Sequence, residues 1–304
     1  MSKSLNVWLL SALLAGTSCF SLAEPDTDHT ESATTHLLAA LPITYGLTAA
    51  LIEGSSIELQ RAAPANLPGS RQPSYFSGRG AGKLQQLASQ ADAVISLRSA
   101  WPADSLYPLA RRSNIRVIEI DAARPVDGAL PGIALKPDTR ANGLDSQPWL
   151  EINNLGRMAD IIAADLAQLA PKAKPQVEQN LAKLKHRLLQ LSANSESHLA
   201  EIDNLSVVAL SDHFQYLISG LNLEQVPFSI PANGQWDEQS LAALTQTLND
   251  YDIALVLYHL QPDANVEKAV AASNSQLVVL DTAEIDPVTD LESKINAIVS
   301  ALGN

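Results

Sequence analysis

Apolar positions recur along this chain in two patterns, and their order predicts an architecture. From Leu155 they fall at 155, 158, 161, 162, 166 and 169, the period of a helix with one buried stripe. Asn153 or Asn154 is expected to cap its start, and Pro171 closes its end. Residues 174–202 predict a second long helix, with Leu181, Leu184, Leu188 and Leu191 on one stripe.

On either side of this helical centre, short apolar runs alternate with helical patterns. Before it, strands are expected at 36–41, 56–62, 93–97 and 115–121, with helices from Pro42 to Gly54, at 84–89 and at 102–112. After it, strands are expected at 205–210, 253–258 and 276–281, with a short run at 225–230 and helices at 212–217, 237–248, 264–273 and 291–302. Strand and helix in alternation imply parallel sheets with right-handed crossovers. The fold class is therefore α/β: two lobes, each with a mostly parallel sheet flanked by helices, joined by a long rigid helix. The expected boundaries are 36–150 for the first lobe, 151–202 for the linking helices and 203–304 for the second lobe.

Ligands of open parallel sheets sit beyond the carboxyl ends of the strands. Here that rule points to Asp121, residues 211–213, His259 and Asp281. Gln147 and Trp149, just before the central helix, are expected to face the gap between the lobes. Two irregular stretches interrupt the alternation. Residues 64–82 are rich in Pro, Gly, Ser and Arg, and 122–146 form an excursion leading to the central helix; long loops of this kind tend to carry function.

The amino terminus follows neither pattern. Lys3 precedes a short apolar run that ends in Ser21-Leu22-Ala23, the layout of a secretory signal over 1–23, and the acid-rich stretch 24–35 reads as a disordered lead-in. An exported mature protein is expected, with lipidation at Cys19 as the less favoured alternative. Cys19 is the only cysteine, so cleavage after Ala23 leaves neither a disulfide nor a thiolate site. No later run is apolar over the 18 or more residues that a membrane span needs. A formal net charge of −13 argues against nucleic acid or an anionic membrane as the main partner.

Four landmarks carry a resemblance. They are Arg71-Gln-Pro-Ser-Tyr75 followed by the stretch Gly82 to Asp92, Gln147-Pro-Trp-Leu-Glu151, Ser211-Asp-His-Phe-Gln-Tyr-Leu217, and Leu277-Val-Val-Leu-Asp281. In this order and spacing the chain resembles the extracytoplasmic solute-binding proteins of zinc and manganese ABC importers, the zinc-uptake type. The resemblance implies a monomeric, non-enzymatic periplasmic protein without an organic cofactor. It would carry zinc, manganese or a similar divalent metal between its lobes and deliver it to a membrane permease.

The family's usual ligands are three histidines and one carboxylate. Matched to this chain, the histidine positions fall on or near Ser74, on Gln147 and on Ser211, and only the carboxylate is kept, as Asp281. Hydroxyl and amide groups are poor ligands for Zn²⁺. His213 and His259 offer a replacement set with Asp281, and Glu284 and Asp286 add nearby oxygen donors. Against this stands the plainer reading, in which His213 packs at a helix start and His259 faces solvent.

Tyr75, Phe76, Trp101, Trp149 and Tyr258 could instead line a cleft for a metal complex that brings its own ligands, with Arg71, Arg79 and Lys83 meeting an anionic group. Two functions follow: an importer's binding component with a divergent site, or a noncatalytic accessory protein of metal homeostasis that keeps the fold but does not bind metal in the family's way. The glycines of 77–84 imitate a phosphate loop but lack its first Gly and its final Ser or Thr. Ser211, Asp212 and His213 are adjacent and so cannot converge as a hydrolase triad.

Overall fold

The computed structural model describes residues 34–136, 146–231, 234–280 and 286–303. The expected signal and residues 24–33 of the lead-in, with Cys19, lie outside the described residues, as do Asp281 and Glu284; Thr35, placed in the lead-in, instead opens the first strand.

The first lobe runs β1 (Thr35–Ala39), α1 (Pro42–Ile52), β2 (Ile57–Arg61), α2 (Gln72–Ser77), α3 (Ala81–Gln90), β3 (Ala93–Ser96), α4 (Leu106–Ser113) and β4 (Ile118–Asp121). Two long helices follow, α5 (Ile152–Leu169) and α6 (Lys174–Leu199). The second lobe holds β5 (Ser206–Ala209), α7 (Gln215–Gly220), β6 (Glu224–Gln225), α8 (Glu238–Asp250), β7 (Leu255–Tyr258), α9 (Ala264–Ala271), β8 (Gln276–Val279) and α10 (Pro287–Leu302). All pairings are parallel, in the order β2-β1-β3-β4 and again β6-β5-β7-β8. The fold is thus two parallel-sheet α/β lobes of matching topology.

Of the inner strands, β3, β5 and β7 are buried at every position and β1 at its last three, as a sheet covered on both faces requires. Side chains alternate between the faces. Leu37 and Ala39 point into one apolar cluster and Leu38 into another; Val207 and Val208 divide in the same way. The larger cluster joins the sheets: Ile95 and Leu257 share it with Leu155, Met158, Ile162 and Leu166 of α5, Leu184 and Leu188 of α6 and Leu291 of α10. The stripe read from the sequence of α5 is therefore the surface on which both lobes pack. Truncating one of these side chains to Ala would cost about 2–5 kcal/mol.

Element ends depart from the sequence reading where side chains intervene. The cap of α5 is Glu151, whose carboxylate accepts from the amides of Asn153 at 3.0 Å and Asn154 at 2.8 Å. Asn154 instead points inward. Its amide group pairs with both backbone groups of Ala134 and with the Pro148 carbonyl, tying the excursion to the start of α5. The loop 64–82 contains α2, and the tight turn after it depends on Gly80, where a Cβ would lie 2.3 Å from the Tyr75 ring. α4 begins four residues later than expected because buried Asp104 accepts from the amides of Leu97 and Leu106 and holds the preceding residues in turns. α10 begins four residues earlier, with Asp286 accepting from Val288 N and Pro287 in the first turn.

Candidate functional site

Strand order in the second sheet changes direction between β5 and β7, the place where open parallel sheets leave room for a ligand. Beyond β5, Leu210 donates to the Leu257 carbonyl at 2.8 Å, Ser211 is extended, and residues Asp212–Phe214 form a 3-10 turn. Buried Phe214 anchors that turn in the core. Beyond β7 the chain passes straight into His259. These two exits bring His213 and His259 together, with ring centroids 4.1 Å apart and planes inclined at 53°. Tyr258 meets the His259 ring edge-on at 5.4 Å.

The surroundings keep His259 uncharged at neutral pH. Burial, and then the neighbouring His213, lower the His259 pKa from 6.5 to about 4. His259 Nδ1 and the Ser211 hydroxyl are both buried without a hydrogen-bond partner among the described residues. Orphaned polar atoms of this kind mark places where water or an ion is expected. A neutral imidazole offers a lone pair to a metal. Two imidazoles on one tetrahedral ion, each nitrogen about 2.1 Å from it, hold their ring centroids roughly 5.3 Å apart. The observed rings are about 1 Å closer than that, so sharing an ion requires them to separate slightly.

The remaining candidates are scattered over other elements. Ser74 is exposed on α2. Gln147 is half-buried in a left-handed conformation, φ 46°, immediately before a 3-10 turn, and Trp149 in that turn packs partly buried against the main core. Asp281 lies one residue beyond the last described position of its strand. Among the described residues no three His, Cys, Asp or Glu side chains converge as a metal-holding group.

Several readings need correction. Phe76, Trp101 and Tyr258 are core residues rather than cleft walls. Asp286 caps α10 and pairs with Arg187 at 2.8 Å, and Arg187 also holds Glu292 at 2.8 Å, so this carboxylate is a structural clamp between α6 and α10. Asp121 accepts from Ser99 N and Ala123 N, fixing the loops at its own strand end.

Sequence reasoning missed Asp104, whose carboxyl is raised from 3.8 to about 6, chiefly by burial. A lone aspartate among apolar neighbours gave no periodic signal. It also missed a groove of about 600 Å³ between residues 132–136, the start of α5 and α7, lined in part by Arg157, Glu196 and Tyr216.

Matching lobes on a helical spine, with donor groups at strand tips, form the architecture of a two-lobe solute-binding protein. The chain belongs to the family of zinc-uptake complex component A, the periplasmic component called ZnuA, whose sequence pattern matches residues 82–301. No curated protein sequence matches the chain. Among solved structures, it is similar to a crystal structure of ZnuA, with 21% identity over 88% of this chain and 99% of that one and a TM-score of 0.65. It is also similar to the Zn(II)-bound ZnuA-like domain of AdcA from Streptococcus pneumoniae, with 18% identity over 89% and 100% and a TM-score of 0.68. A mutant of FpvC from Pseudomonas aeruginosa aligns with 18% identity over 88% and 98% and a TM-score of 0.69. Among the described residues, no helix is long and apolar enough to cross a membrane.

Proposed function

We propose that this chain is the extracytoplasmic solute-binding component of an ABC importer, carrying a divalent transition metal or a complex of one. His213 and His259 are its principal donors. Asp281 is the carboxylate that completes the set, and Ser74, Gln147, Trp149 and Ser211 line the place the cargo enters. A membrane permease receives the loaded form.

The observation that carries this reading is the 4.1 Å approach of two imidazole rings at the switch point of the second sheet. Two features support it: the orphaned Ser211 hydroxyl and His259 Nδ1, and the relatives' Zn(II)-bound structure, which belongs to the same fold.

Titration calorimetry of metal-stripped protein with Zn²⁺, and separately with Mn²⁺, tests it. One ion per chain is expected, with His213→Ala and His259→Ala each weakening binding at least about tenfold, or about 1.4 kcal/mol. Unchanged affinity in both variants would remove the histidines from the site, and no uptake of either ion would end the metal reading.

A further inference from the structure

The acidity of this chain is unevenly placed. Between Arg61 and Arg116 it carries seven arginines and one lysine against two aspartates and no glutamate, although the whole chain has a net charge of −13. Of the two aspartates, Asp104 is buried, and Asp92 accepts from the His36 amide.

This segment builds α2, α3 and α4, which pack on one face of the first sheet over Leu38 and Val94 through Phe76, Leu84, Ala88, Leu106 and Ala110. Because all three helices bury one side against the same sheet, their other sides form one outward surface. None of the three helices contains an acidic residue. Arg71, Arg79, Lys83, Arg111, Arg112 and Arg116 are exposed on or beside them, and none is in an ion pair with another described residue.

The second lobe provides an internal comparison. In the same topological position, α8 and α9 expose Glu238, Asp250 and Glu267 against the single cation Lys268. A shared topology with opposite charge means that the fold does not require the basic layer.

We infer that the α2–α4 layer is a docking surface for an anionic phospholipid membrane. Arginine dominates the layer, and its guanidinium fork matches phosphate oxygens. Tyr107 lies beside Arg111, whose Nη1 donates to its hydroxyl at 3.0 Å, and Ile115 is 76% exposed next to Arg116. Amphipathic and apolar side chains among cations suit a headgroup boundary. The cations lie on α3 and α4 and in the segments flanking α2 and α4, which fits an extended charged plane. Repulsion from the acids elsewhere is weak at this range, because charges farther apart than about 8 Å are largely screened at physiological ionic strength. An importer's binding component works beside a membrane, and this face would hold it there.

The test is cosedimentation of the purified protein with vesicles of phosphatidylglycerol and phosphatidylcholine in equal parts, against phosphatidylcholine alone. Binding is expected to the anionic vesicles at physiological ionic strength, where the distant acids are screened, and to be lost near 1 M salt, where the Debye length falls to about 3 Å. At about 1 kcal/mol for each basic residue near the surface, the double substitution Arg111→Gln and Arg112→Gln lowers the partition constant roughly 25-fold. Glu267→Gln, on the opposite lobe, leaves it within about twofold. Equal partition to both vesicles, or no effect of the arginine substitutions, overturns the proposal. Retention on immobilised polyglutamate without vesicle binding also overturns it and assigns the surface to an acidic protein. Zn²⁺ titration of the arginine variant, expected to match the unsubstituted protein, reports on the metal site separately.

Discussion

His213 and His259 stand 46 positions apart in the chain, yet their rings lie 4.1 Å from centroid to centroid because β5 and β7 are adjacent strands that end side by side. Neither residue has a helical partner in sequence. Their meeting is a product of strand order, and it sets how the site behaves with pH.

Stability should depend on pH with two opposing slopes. His259 stays neutral in the folded chain to about pH 4, whereas its ordinary pKa is 6.5, so the unfolded chain takes up this proton first as pH falls. Its stabilising contribution is complete above about pH 6.5 and is lost between there and pH 4. Asp104 acts in the other direction. Its carboxyl titrates at about 6 instead of 3.8, so the unfolded chain ionises first as pH rises, and stability is lost between about pH 4 and 6. Melting curves across pH 4–7 are expected to lose the first slope in His259→Ala and the second in Asp104→Asn. Parallel profiles for all three proteins would refute these assignments.

Glu151 satisfies two amides at the start of α5, the helix on which both sheets pack. Glu151→Ala should therefore cost about 1 kcal/mol, a melting temperature lower by about 2–4 °C, while Glu151→Asp recovers part of the loss. A calorimetric scan that finds no change would show that water replaces the carboxylate at no cost.

Asn154 is 3% exposed and bridges Ala134 and Pro148, holding residues 131–136 to the start of α5. Asn154→Ala should lose about 1–2 kcal/mol, because the Ala134 amide is left without its acceptor and the Pro148 carbonyl keeps only the long bond from the Glu151 amide. Hydrogen exchange should quicken at Ala134 and Lys136, whose amides are held by Asn154 and by the Tyr216 hydroxyl. Quickened exchange spread evenly over β5 and β7 instead would indicate a global loss of stability.

The sequence by itself determined the parts that depend on local periodicity. The 3.6-residue stripe from Leu155 to Leu169 and the short apolar runs gave the class, the two parallel sheets and the spine, because burial on one or two faces writes itself into neighbouring positions. Element ends were less legible. The cap at Glu151, the early start of α10 at Asp286 and the late start of α4 each depend on a side chain that serves as easily in solvent. What only the tertiary structure decided is which distant groups meet. Strand order brought His213 to His259, drew Asp121 and Asp286 into loop and helix clamps, and collected the cations on and beside three helices over one face of the first sheet. Such meetings leave no periodic trace, since the residues between them are free to vary.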